Sequence, residues 1–187
     1  LPRPERAPVE VPSGLAAGFL ELVKEQRVTG LAVASVEEGR LELPAQATQD
    51  PLEAHRQAMM WVLTVERTLV GLADAFDAAG IPFVVLKGAA LAHSAYPDPS
   101  WRSFGDLDLL VRTRDWRGAC ALLESRGHLR VLPEPRKGFD ERFGKAAVHK
   151  GSDGIEFDLH RTLVVGPFGL WIDPEALFDH RVQFALG

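Results

Sequence analysis

Hydrophobic residues near the start of the chain recur at the spacing of an amphipathic helix. Four prolines within residues 1–12 indicate an irregular arm before it. Ser13 is predicted to cap a helix that runs to about Val28, and Thr29-Gly30 is predicted to end it. We expect its apolar face to consist of Leu15, Phe19, Leu22 and Val23.

A second, longer helical pattern follows an ambiguous stretch at 31–50. Asp50 is a capping residue and Pro51 suits the first helical position, so the helix is predicted to begin there. Apolar residues continue at helical spacing to about residue 79, where Gly80 fits a left-handed end. One long helix over about 51–79 is therefore predicted.

After Gly80 the period shortens to that of β-strands. The run Phe83-Val84-Val85-Leu86 is uniformly apolar and predicts a buried strand. Gly151-Ser152-Asp153-Gly154 is typical of a hairpin turn. Strands are predicted at 83–86, 106–111, 128–132, 145–150 and 155–160, and helices at 89–94, 114–126 and 174–180.

Length and composition favour one globular domain with additional elements. The chain has 187 residues, of which 46% are hydrophobic and 25% charged. We divide it into an N-terminal arm and helical region at 1–50, which could dock a partner chain, and a main domain at 51–187. No apolar run approaches the roughly 20 residues of a membrane span, and no secretory signal is visible.

Charge and cysteine content narrow the function classes. The net charge of −5 argues against long nucleic acid as a partner, because binding its backbone requires many basic contacts. Cys120 is the single cysteine, which excludes an internal disulfide and a thiolate-only zinc site. A reducing, cytoplasmic location is the simplest expectation.

Asp106 and Asp108 are the first candidates for chemistry. In a strand both carboxylates point to one face, about 7 Å apart along the chain, whereas Leu107 and Leu109 point to the other. Neighbouring carboxylates repel one another unless a cation neutralises them, and Mg²⁺ prefers oxygen ligands. An exposed strand face that merely carries two acids is the simpler alternative, and it stays open on this pattern alone.

The predicted strand at 155–160 carries a third acid. Ile155, Phe157 and Leu159 share one face, and Glu156, Asp158 and His160 lie on the other. If this strand lies beside 106–111, Asp158 joins the two aspartates in a cluster that suits two Mg²⁺ ions. His160 would then orient an acid or touch a substrate phosphate; the alternative is a surface histidine.

Lys87-Gly88-Ala89 joins a predicted strand to a predicted helix. Backbone N–H groups at a helix N-terminus bind phosphate, and glycine allows a ligand to approach closely. Lys87 adds a positive charge. A tight turn without a ligand would produce the same pattern.

Four segments in chain order resemble the uncharacterised nucleotidyltransferase family of the DNA polymerase beta-like nucleotidyltransferase superfamily. The resemblance implies an α+β fold with a small mixed β-sheet flanked by helices, to which this chain adds its N-terminal helical region. Members are typically longer, so a C-terminal helical part is expected to be missing. The segments are Leu86-Lys87-Gly88-Ala89-Ala90-Leu91, Tyr96-Pro97-x-Pro99, Arg102-x-x-x-Asp106-Leu107-Asp108-Leu109-Leu110-Val111 and Phe157-Asp158-Leu159-His160.

The resemblance also assigns roles to residues. Asp106 and Asp108 would hold the nucleotide metal, and Asp158 would help to hold a second metal or act as base on the acceptor. The superfamily usually has Gly-Ser or Gly-Gly in the phosphate turn. This chain has Gly88-Ala89 and therefore lacks a hydroxyl there. The nucleotide-binding set implied is Lys87, Gly88, Ala89, Arg102 and His160, with a salt bridge to the acidic strand as the alternative for Arg102.

The function implied is nucleotidyl transfer from an NTP, with Mg²⁺, to a small-molecule, peptide or protein acceptor. We therefore lean towards an enzyme. A non-catalytic nucleotide-binding or partner-binding module on the same fold is the alternative. A metal-dependent phosphohydrolase that uses the same acids is a third, weaker hypothesis.

Overall fold

The computed structural model describes residues 7–164 and 173–186. Short 3-10 turns at Ala45–Ala47, Pro99–Trp101 and Thr113–Asp115 link several of its elements. In chain order the elements are β1 (Val9–Glu10), α1 (Ala16–Glu25), α2 (Thr29–Glu37), β2 (Leu41–Glu42), α3 (Gln49–Ala78), β3 (Phe83–Val85), α4 (Ala89–Ala95), β4 (Asp106–Val111), α5 (Trp116–Ser125), β5 (Leu129–Arg130), α6 (Phe139–Phe143), β6 (Ala146–Lys150), β7 (Glu156–His160) and α7 (Pro174–Asp179).

Five strands form a mixed sheet in the order β3-β4-β7-β6-β5. β4 and β7 run parallel, whereas the other neighbouring strands are antiparallel. β6 and β7 form the predicted hairpin, and Gly154 in its turn has a φ of 83°, which favours glycine. β1 and β2 pair separately in a parallel ribbon. The mixed sheet with flanking helices confirms the predicted α+β fold class.

One face of the sheet is covered by helices and forms the core. Leu107 and Leu109 of β4 are at most 1% exposed, and Phe157 and Leu159 of β7 are fully buried. They belong to one apolar cluster with buried residues of α3, α4 and α5. A fully buried side chain of this size contributes about 1.5–3 kcal/mol. These four residues thus share one face, as predicted, whereas the acids lie on the opposite face together with the buried Leu110 and His160.

The first helical prediction is wrong in its bounds and wrong for half of its face, because Val23 is buried and Phe19 packs against a second apolar cluster as predicted. The backbone N–H of Leu15 donates to Pro12 O in a turn, so α1 begins only at Ala16 and Ser13 does not cap it. The buried face consists of Ala16, Leu20 and Val23, whereas Leu15 and Leu22 are exposed. Helical spacing alone is compatible with two neighbouring apolar faces of α1. The face that is buried is the one that packs against the β1–β2 ribbon.

Thr29 and Gly30 start a helix instead of ending one. α1 ends at Glu25, and α2 begins at Thr29. A side chain at Gly30 would place its Cβ 2.4 Å from Ser100 O and 2.8 Å from the backbone of Trp101. Gly30 is therefore needed for close packing of α2 on the 99–101 turn, and its φ does not end a helix here.

The long helix α3 is confirmed, although its predicted cap is wrong. It begins at Gln49, because the 45–47 turn leads directly into it and the Thr48 hydroxyl donates to Ala45 O at 2.7 Å. Asp50 lies inside the first turn, where a negative charge suits the helix dipole. No helix in the described ranges has the length and apolar character that a bilayer crossing requires. The boundary at residue 50 stays a prediction.

Candidate active site

The register of β4 and β7 places the predicted acids side by side. Asp108 is the direct partner of Asp158, Asp106 is opposite Glu156, and Leu110 is opposite His160. Neighbouring strands lie about 4.8 Å apart, so acids paired in this way are close neighbours on one face. The predicted three-carboxylate cluster required the strands of Asp106–Asp108 and Asp158 to be adjacent, and they are.

Asp108 is the buried centre of this cluster, with a side chain that is 3% exposed. His160 Nε2 lies 3.0 Å from Asp108 Oδ1, and Lys87 Nζ lies 3.0 Å from Asp108 Oδ2. A carboxylate only accepts hydrogen bonds, so His160 donates through Nε2. Both oxygens of Asp108 therefore have a positively polarised neighbour, which compensates for their loss of water.

Lys87 also reaches the first aspartate of the pair. Its Nζ lies 3.9 Å from Asp106 Oδ2, and about half of each of these two side chains is exposed. Hydrogen bonding to Asp108 is the largest effect and raises the pKa of Lys87; burial, the next largest, lowers it, and the charges of Asp108, Asp106 and Asp158 each add a smaller increase. Lys87 thus acts as the counter-ion of the acids, a role that the sequence analysis did not assign to it.

The cluster fits a divalent cation. Ligand atoms of Asp108, Asp158 and His160 all lie within 4.8 Å of one another. The three aspartates and Lys87 together have a formal charge of −2, which one divalent cation would balance. Carboxylate oxygens are the ligands that Mg²⁺ prefers. His160 already uses Nε2 for Asp108, so its place in the cluster is that of a residue that orients a carboxylate.

The turn at Gly88 lies directly beside the acidic strand. Gly88 has φ 58° and ψ −115°, a backbone conformation that only glycine adopts readily. A Cβ at this position would lie 3.4 Å from the Phe104 ring and 3.5 Å from Asp106 O, and the Leu86 N–H donates to Asp108 O at 2.9 Å. Ala89 is fully buried in the core, so the side chain at that position points away from the site. Any phosphate contact there would come from backbone N–H groups.

Arg102 lies near an aromatic ring. Its guanidinium carbon is 5.9 Å from the centre of the Tyr96 ring, and its Nε is buried without a hydrogen-bond partner among the described residues. Within the described ranges no salt bridge involves Arg102, so the alternative in which it pairs with the acidic strand is not observed. Its phosphate-binding role stays a prediction.

Trp61 was missed by the sequence analysis. Its indole Nε1–H donates to Gly105 O at 3.2 Å, and its ring faces Gly154 in the β6–β7 turn. It therefore supports both chain segments that lead into the acidic strands. Its helical position in α3 predicted only packing, and nothing in the local pattern indicated this contact.

The acids lie on the face of the sheet opposite the helix-covered core and differ in exposure: Asp106 is about half-exposed, Asp158 is partly buried and Asp108 is 3% exposed. Two concavities of the chain lie elsewhere: one of about 440 Å³ between α2, α3 and the 98–101 turn, and one of about 870 Å³ along β3 and residues 177–186. Neither is lined by the aspartates.

Comparison with known proteins places this arrangement in a family. The model of a family described as "Uncharacterised nucleotidyltransferase" matches residues 15–186, which is most of the chain. No curated protein and no solved structure matches the chain significantly.

Proposed function

The chain belongs to the uncharacterised nucleotidyltransferase family, and from this premise we propose that it is a magnesium-dependent enzyme. It would transfer a nucleotidyl group from an NTP to a hydroxyl or amine of a small molecule, peptide or protein. The observation that supports this most is the register of Asp108 against Asp158, with both oxygens of Asp108 held in place. Membership of the family supports nucleotidyl transfer in general. The acceptor and the metal are our own proposals.

Asp106, Asp108 and Asp158 would hold the cation. When bound, Mg²⁺ would supply charge neutralisation for the phosphates and for the leaving pyrophosphate. His160 fixes the orientation of Asp108 through its Nε2–H, so the carboxylate does not need to reorganise. Lys87, together with the Gly88–Ala89 turn and Arg102, would bind the phosphates of the nucleotide.

Asp158 is the residue best placed to act on the acceptor, because Asp108 is already engaged by two partners and Asp158 is only partly buried. The acceptor oxygen would form a bond to the α-phosphorus while the bond to the pyrophosphate oxygen breaks. Asp158 would take the acceptor proton as general base. The products are a nucleotidylated acceptor and pyrophosphate.

Calorimetric titration of the four NTPs with Mg²⁺ tests the nucleotide site. We expect one NTP to bind the wild-type chain, and binding to be lost in Asp106→Ala/Asp108→Ala and with Mg²⁺ omitted. Glu156→Gln is the matched control, because Glu156 is a carboxylate on the same face of β7 that pairs with Lys150 at 2.8 Å. Equal nucleotide affinity in all three proteins would refute the proposed roles of the aspartates.

A non-catalytic binding module has one observation in its favour. Lys87 already neutralises part of the acidic cluster, so the fold does not require a metal to tolerate the buried Asp108. Product analysis separates the two functions. A nucleotidylated acceptor with pyrophosphate supports the enzyme, nucleotide binding without turnover supports the module, and free phosphate without an adduct indicates a phosphohydrolase.

A further inference from the structure

The face of the sheet that carries the acids continues into an apolar surface. Asp158 on β7 is paired with Val148 on β6, and the Val131 N–H donates to Val148 O at 2.9 Å, which places Val131 opposite Val148. In the next row Leu129 is paired with Lys150. Paired residues share a face, so all of these point to the same side as Asp158. We call Leu129, Val131 and Val148 the apolar platform.

The apolar platform is exposed although its residues are aliphatic. Leu129 is 65% exposed and Val131 50%, and Val148 between them and the acids is half-buried. With strands about 4.8 Å apart, the platform begins about 5 Å from the Asp158 strand and ends about 10 Å from it. Single exposed aliphatic residues are common, but cross-strand neighbours beside an acidic cluster form a continuous surface.

The edge of the sheet is poorly suited to another strand, which argues for a ligand on the face. β5 is the edge strand, and only Leu129–Arg130 form it. The Val131 N–H is already used by β6, and Pro133 and Pro135 follow without N–H groups. Short edges with proline resist pairing with a further chain.

The charged pair that borders the platform at Leu129 is internally neutralised, and the net negative charge of the acids lies on its other side. Lys150 and Glu156, which border it, form an ion pair at 2.8 Å. The platform is therefore unsuited to recruiting a phosphate or another polyanion, and suited to an uncharged body. The proposed phosphate-binding residues lie at the opposite end of the sheet order, after β3, with the acids between the two.

We propose that the apolar platform binds the acceptor, which is therefore an alcohol with an uncharged aliphatic or aromatic body. This inference rests on the proposed function. The body lies over Leu129, Val131 and Val148, and its hydroxyl reaches Asp158. The platform thus selects the acceptor by apolar contact, and the acids at its border act on the hydroxyl.

Methyl NMR on the chain with labelled leucine and valine methyl groups tests the platform directly. Ethanol and hexan-1-ol are titrated in the presence of Mg²⁺ and a non-hydrolysable analogue of the NTP that calorimetry identifies. An open surface buries about half of each methylene, so affinity rises about twofold per methylene. The half-saturation of the platform methyl signals should therefore be about 16-fold lower for hexan-1-ol than for ethanol.

In Leu129→Ser/Val131→Ser, hexan-1-ol should no longer saturate the platform. The remaining platform methyl signals, those of Val148, should then not shift during the titration. Leu22→Ser/Leu63→Ser is the matched control, because these leucines are 54% and 60% exposed and lie on α1 and α3. Both double variants should keep wild-type affinity for the Mg²⁺–nucleotide complex.

Two results would overturn the inference: half-saturation that does not depend on chain length, or a hexan-1-ol response that survives in Leu129→Ser/Val131→Ser. Absence of nucleotide binding in the wild-type chain would instead overturn the proposed function, because that measurement does not involve the platform.

Discussion

Lys87 and a bound cation would compete for the same carboxylate. Lys87 Nζ lies 3.0 Å from Asp108 Oδ2 and 3.9 Å from Asp106 Oδ2, and both aspartates are proposed metal ligands. Lys87→Met removes the charge and keeps most of the aliphatic stem. We therefore expect opposite effects of this change: the metal alone binds more tightly, and the metal–nucleotide complex binds more weakly.

The size of both effects follows from exposure. The side chain of Lys87 is 52% exposed, so solvent screens its ion pair, and about 1 kcal/mol is the upper range for such a pair. Loss of this competition should lower the dissociation constant of Mn²⁺ about fivefold. A charge-assisted hydrogen bond to phosphate contributes about 1.5–3 kcal/mol, so nucleotide affinity should fall about 10-fold to 100-fold.

Electron paramagnetic resonance of Mn²⁺, with and without a non-hydrolysable NTP, measures both constants on one protein. Lys150→Met is a close control, because Lys150 is 51% exposed, pairs with Glu156 at 2.8 Å and lies on the same face of the sheet. It should change neither constant. If Lys87→Met moves both constants in the same direction, or if Lys150→Met has the same effect, the competition described for Lys87 is refuted.

Three further predictions concern stability and reactivity. Burial lowers the pKa of His149, so the unfolded chain takes up a proton first as the pH falls below about 6.5, and stability should decrease by up to about 1.4 kcal/mol per pH unit. Denaturant titrations at pH 7 and 5.5 should show a smaller difference for His149→Leu. Burial raises the pKa of the Cys120 thiol to about 11, so alkylation of the native chain at pH 8 should be at least about 100-fold slower than in denaturant. Asp140→Ala leaves the mostly buried Arg130 without its partner at 2.5 Å and should cost about 3 kcal/mol by the same titrations; a loss below about 1 kcal/mol would contradict the importance of this pair.

The strands around the site were predicted well because alternate residues of each strand are apolar. β4 and β7 each place Leu or Phe on the helix-covered face and acids on the other, and one slip of register would turn the acids into the apolar core. The sequence alone offered the adjacency of β4 and β7 as a hypothesis, and the observed strand pairing confirms it. The pairing of Asp108 with Asp158 rests on a connection of almost 50 residues, which no local pattern encodes.

Predictions failed where packing decides between equivalent local choices. Gly30 has the residue type of a helix end, but its lack of a Cβ is used for contact with Ser100 and Trp101, far away in the chain. His149, for which the sequence predicted no face, lies fully buried at a core position of β6. Neither of these two environments can be predicted from the residues that neighbour Gly30 or His149 in the sequence.

The site lies where one face of the sheet passes from solvent into the protein interior. Along β4 the residues on this face are Asp106, half-exposed, then Asp108 at 3% and Leu110 at 0% exposure. A charge at the position of Asp108 is costly unless a cation accompanies it, and Lys87 is that cation here. Displacement of Lys87 from Asp108 is therefore easiest when another cation takes its place. Release of Lys87 towards the phosphates and arrival of the metal would then be one exchange, in which the buried carboxylate stays neutralised throughout.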